Sequence, residues 1–100
     1  MKIGLNVVGP QVQWFRMRKG WTQPILAAKL QLQGWNVTTG SVGKLEAQLR
    51  RVPDCELMFL AQVLGVSVAD LFPKVASLKQ LGSRFQSGRR LPLFPTRRKR

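Results

Sequence analysis

One hundred residues with 44% hydrophobic content bound this chain to a single domain with one modest core. Seventeen Lys and Arg against four Asp and Glu give a net charge of +13, which points to polyanionic partners. Histidine and tyrosine are absent and the four acids are scattered, so acid/base pairs, nucleophile triads and His/Cys metal clusters lack their parts. Neither an enzyme nor a metal or other cofactor is expected.

The charge is divided unevenly. Residues 1–73 hold eight basic and four acidic residues, a net of +4, whereas residues 74–100 hold nine basic residues and no acid. The expected organisation is a mildly basic domain, 1–73, followed by a basic, largely disordered tail, 74–100. The single cysteine, Cys55, cannot close an internal disulfide and reads as a half-buried apolar residue. No apolar run approaches the roughly 18 residues of a membrane span, and Met1 to Pro10 lacks the apolar core of a signal peptide. A cytoplasmic protein without a membrane partner is expected.

In chain order, residues 1–9 read as an ordered lead-in. Pro10 suits a first helical turn, and Val12, Phe15 and Arg16 share one face of a helix that stops at Lys19-Gly20. Thr22 is the N-cap of a second helix, with Ile25 or Leu26, Ala27, Leu30 and Leu32 as candidates for its buried stripe and Gly34 past its end. A third helix starts at Thr38 and runs to about Gln48. Val42, Leu45 and Glu46 would face inward, and Thr39, Gly40, Gly43 and Lys44 outward. Gly40 and Gly43 each cost about 1 kcal/mol of helix propensity, so packing must hold this helix together.

Pro53 breaks the pattern and Asp54 is the expected N-cap of a fourth helix, with Leu57, Leu60, Ala61 and Leu64 on one face and Gly65 as its stop. Met58 and Phe59 are left over, either for a dimer surface or for packing under a later segment. Ser67 would cap a short fifth helix ending at Leu71-Phe72-Pro73. Trp14, Trp21 and Trp35 read as lids over the core more readily than as base-stacking platforms. The fold class is all-α, a compact five-helix bundle.

Thr22-Gln23, Leu26-Ala27, Val42, Leu45-Glu46, Asp54 and LGVSVADLF from Leu64 to Phe72 resemble the Xre/Cro type of helix-turn-helix DNA-binding domain, the lambda-repressor-like fold. The resemblance covers about two thirds of the chain. It implies a bundle in which the second helix crosses the DNA backbone and the third lies in the major groove. Gln23 matches the family's glutamine that contacts a phosphate and braces the third helix. Thr38, Thr39, Gly40, Ser41, Gly43 and Lys44 match positions that approach bases or nearby backbone, with Lys44 the principal base reader. Arg16 matches the arginine that pairs with the glutamate matched by Glu46. The segment QLQGWNV before Thr38 is longer than in a compact member, and the two glycines leave few side chains for direct readout.

The implied function is a small transcriptional regulator, in the sense of a repressor, that binds duplex DNA as a homodimer in the nucleoid. In the tail, Arg89, Arg90, Arg97, Arg98, Lys99 and Arg100 are candidates for non-specific phosphate contacts, each steepening the salt dependence of binding. The alternatives are an adaptor that uses the same fold to bind a protein partner, and a general nucleic-acid binder acting through the tail.

Overall fold

The computed structural model describes residues 4–73; residues 1–3 and 74–100, with the six candidate phosphate-contacting side chains of the tail, lie outside the described part. Four α-helices follow one another, α1 (Gly9–Arg18), α2 (Gln23–Leu32), α3 (Thr39–Glu46) and α4 (Asp54–Leu64), then a 3-10 turn at Val68–Leu71. No strand occurs among the described residues.

Local chemistry sets most helix ends. Thr22 and Thr38 stand in extended conformation and their hydroxyls accept from the N–H groups of Ile25 and Ser41, at 3.3 and 3.0 Å. Gly65 ends α4 in the left-handed region at φ 73°, which a glycine adopts without the Cβ penalty. Asp54 is not the N-cap of α4: it is the first helical residue, and Pro53 takes the cap position without a side-chain bond. Asp54 and Glu56 instead place two carboxylates in the first turn, where the helix dipole favours them.

The expected fifth helix is a single 3-10 turn. Ser67 and Asp70 close a capping box on each other, at 3.1 and 3.2 Å, and only four residues separate Ser67 from the extended Phe72. The turn still delivers Leu71 to the core, fully buried.

That core joins Val8, Val12, Leu26, Ala27, Leu30, Val37, Val42, Leu45, Leu60, Ala61, Leu64 and Leu71. All four helices and the lead-in contribute, so no pair of helices is closed without the others. Of the alternatives Ile25 and Leu26, Leu26 is the buried one and Ile25 is 40% exposed; Leu32 departs from expectation at 84% exposed, because α2 buries only the Leu26, Ala27 and Leu30 face. Cys55 is exposed rather than half-buried, and Trp14, read as a lid, is half exposed with its ring edge-on to Phe15. Trp21 and Trp35 do pack against the core, Trp35 with Phe59 at 6.0 Å. Met58 stays exposed. Among the described residues, no helix is long and apolar enough to cross a membrane.

Candidate nucleic-acid interface

α3 is held from beneath. Val42 and Leu45 are buried in the core, and Glu46 at its last turn is buried with them. A buried carboxylate must be paired and hydrogen-bonded to be tolerated, and three donors converge on this one. Arg16 of α1 gives Nε to Oε2 at 2.6 Å and Nη2 to Oε1 at 3.0 Å, a two-pronged pair. Gln23 of α2 donates its amide Nε2 to Oε1 at 2.9 Å. The remaining side of the guanidinium donates Nη1 to the Trp21 carbonyl, at 2.7 Å, which fixes the turn between α1 and α2. One carboxylate therefore ties three helices together.

Gln23 consequently has its amide nitrogen turned inward, toward Glu46, as a brace for α3. Its Oε1 lies over Gly43, where an added Cβ would come within 3.4 Å of it. At that distance a Cβ would make ordinary van der Waals contact, so packing does not require glycine at position 43. Nor does it at position 40, where the nearest atom to an added Cβ is the Thr38 Oγ1 at 3.9 Å and the position is exposed. On stability alone Gly40→Ala should therefore gain about 1 kcal/mol, the helix-propensity difference. Urea denaturation of the full chain checks this; a loss of stability would show that the bare position serves the fold.

The outer face carries Thr38, Thr39, Gly40 and Lys44 exposed, with Ser41 and Gly43 half-buried at its edges. All six candidate positions of α3 and its cap thus lie along one short helix, with Gln23 behind them. Within α3, Lys44 is the charged residue on this face; Glu46 points the other way and is neutralised by Arg16. The face offers hydroxyl and ammonium donors along a strip that two glycines keep low.

α3 ends earlier than expected, at Glu46, in a Schellman closure. Gln48 takes the left-handed conformation at φ 65°, its N–H bonds the Leu45 carbonyl at 3.0 Å, and the Leu49 N–H bonds the Lys44 carbonyl at 2.8 Å. A glutamine in that conformation is accounted for by its side chain, which donates Nε2 to the Asn6 carbonyl at 2.8 Å, while its own carbonyl accepts from Leu5 N–H at 2.9 Å.

Two supporting residues escaped the sequence reading. Asn6, buried in the lead-in, donates Nδ2 to the carbonyls of Leu45 and Arg50 and accepts the Gly9 N–H on Oδ1 at 2.8 Å. Arg50 donates Nε to the Ser41 carbonyl at 3.3 Å and Nη1 to Glu56 at 3.0 Å, and lies over the Trp35 ring. It links the first turn of α3 to the first turn of α4. Asn6 has one near partner, the Gly9 N–H three residues on, but the two carbonyls that it joins lie 39 and 44 residues away; the partners of Arg50 lie nine and six residues away, on different helices.

No protein-family model, curated protein or solved structure matches this chain. Among the described residues no group of three or more His, Cys, Asp or Glu is placed to hold a metal ion.

Proposed function

We propose that this chain is a duplex-DNA-binding regulator of the Xre/Cro type, in which α2 and α3 form the helix-turn-helix and α3 enters the major groove. The observation that carries this reading is the Arg16, Gln23 and Glu46 cluster, which holds α3 to α1 and α2 from its inner side and leaves Thr39, Gly40 and Lys44 exposed on the other. A helix with its side chains is about 10 to 12 Å across, a thickness that a major groove about 12 Å wide admits.

Thr38, Thr39 and Ser41 at the start of α3 supply hydroxyls to base edges or phosphates, and the Lys44 ammonium donates to guanine O6 or N7. The second amide hydrogen of Gln23 serves a phosphate while the first keeps its bond to Glu46. Gly40 and Gly43 let the helix sit deep, so groove shape carries part of the selectivity. A homodimer would place two such helices on half-sites about one helical turn apart. The nine basic residues after Pro73 add sequence-independent phosphate attraction. The function is binding, in the nucleoid of the cytoplasm, without catalysis.

Selection of sites from a random duplex library with the full-length chain tests this. A roughly palindromic motif should be enriched, and Lys44→Ala should lower affinity for it about tenfold and relax preference at one base pair per half-site. Equal recovery of all duplexes would replace this function with general nucleic-acid binding.

A further inference from the structure

α2 is apolar on two opposite faces. One is the core face of Leu26, Ala27 and Leu30. The other carries Ile25, Ala28 and Leu32, at spacings of three and four residues, while Trp21 just ahead of the helix is half-buried against the core. This is the a/d spacing of a coiled-coil seam, and at 3.6 residues per turn the three positions fall within an arc of about 60°. Ile25, Ala28 and Leu32 are all exposed, Leu32 at 84%. A helix on the surface of a small domain needs one apolar stripe, not two. The second stripe lies opposite the side of α2 that meets α3 and α4.

The rim of this seam is positively charged. Lys29 holds a flanking, e-type position, and its ammonium sits 4.6 Å from the Trp21 ring centroid, with that of Lys19 at 5.2 Å. No acidic residue precedes Glu46 anywhere in the chain. A second copy is a poor occupant, since each chain carries +13 and an antiparallel pairing would set Lys29 against Lys29. A strip one helix wide and about 10 Å long is the imprint of a helix more than of a bilayer, which rewards broad apolar area. Duplex phosphates would leave Ile25 and Leu32 without an apolar partner.

We infer that the outer face of α2 docks an amphipathic helix of a partner protein, one with an apolar a/d seam and acidic residues in the flanking positions. Three turns make a small interface, so the complex is transient. It does not depend on DNA binding, because it uses neither α3 nor Gln23.

The test uses the full-length chain and a fluorescently labelled helical peptide of about three heptads, with leucine at a and d and glutamate at e and g, in anisotropy titrations at physiological salt. Controls are a peptide of equal composition with the repeat scrambled, a peptide with lysine in place of glutamate, and phosphatidylcholine/phosphatidylglycerol vesicles. The acidic heptad peptide should bind about tenfold tighter than its scramble, and an Ile25→Ser/Leu32→Ser variant of unchanged circular dichroism should lose that difference. Lys29→Glu should weaken the acidic peptide and strengthen the basic one; if the double variant loses helicity, this charge swap decides. Equal binding of heptad and scrambled peptides would overturn the inference, since only net charge would then be recognised. Undiminished heptad binding by the folded double variant, or no response to Lys29→Glu, would overturn it as well. So would vesicle binding that the double variant loses while peptide order makes no difference, a result that assigns the face to anionic lipid.

Discussion

Replacing Glu46 by alanine is expected to remove about 3 to 5 kcal/mol of stability and to leave the domain loosened or unfolded. The wild-type pair need not be a large net stabiliser, because taking both charges out of water is costly. The loss comes from what remains. Without the carboxylate, the guanidinium of Arg16 stays buried beside α3 with only the Trp21 carbonyl to accept from it, and the amide of Gln23 loses its acceptor. Marginal stability makes this decisive, since a domain of about 70 residues is stable by roughly 3 to 10 kcal/mol. Thermal unfolding should shift down by more than about 10 °C. Arg16→Met with Glu46→Leu should recover much of the loss by replacing the ions with apolar volume. A melting curve for Glu46→Ala that overlays wild type would show that the cluster bears no load.

The two inward faces of α3 and α2 differ in how openly the sequence displays them. In α3 the apolar residues are Val42 and Leu45 and nothing else, so the period leaves one choice, and the structure buries both. In α2 the apolar residues surround the helix, and period alone cannot choose between Leu26 with Leu30 and Ile25 with Leu32. Packing against α3 and α4 chooses the first pair. Caps that act within one turn, such as Thr22, Thr38 and Gly65, are legible because donor and acceptor are three or four residues apart. The Arg16 to Glu46 bond spans 30 residues, and the resemblance to a known fold, not spacing, suggested it. Asn6 reaches carbonyls 39 and 44 residues away with no such guide, and Arg50 joins two helices over nine and six residues, spacings that no single helix period marks. The short fifth element starts at Ser67 and ends by Phe72 as expected, but as a 3-10 turn, because a cap marks where a helix starts without saying what it becomes or how far it runs.

Gly9→Ala should cost about 3 kcal/mol, the upper end of the range for overpacking, although it replaces the worse helix former by the better. Gly9 is the first residue of α1 and its Cα faces the last turn of α3. An added Cβ would press into the Leu45 carbonyl oxygen and lie 2.8 Å from that of Glu46. Both obstacles are backbone, so no rotamer change can make room; α1 and α3 must separate. The approach itself is favourable, because the N-terminus of one helix meets the C-terminal carbonyls of the other, and Asn6 stitches the two by bonding Gly9 N–H and the Leu45 carbonyl together. Separation would lengthen these bonds and also pull on the Arg16 to Glu46 pair, since Glu46 is itself at the contact and Arg16 lies about two turns along α1, so the two sites should not be additive. Denaturant melts of Gly9→Ala, Glu46→Ala and the double variant measure that coupling. Additive losses would mean that the Asn6 stitch and the Glu46 cluster fix α3 independently. A combined loss smaller than the sum would mean that they hold α3 through one shared contact, its closing turn against α1.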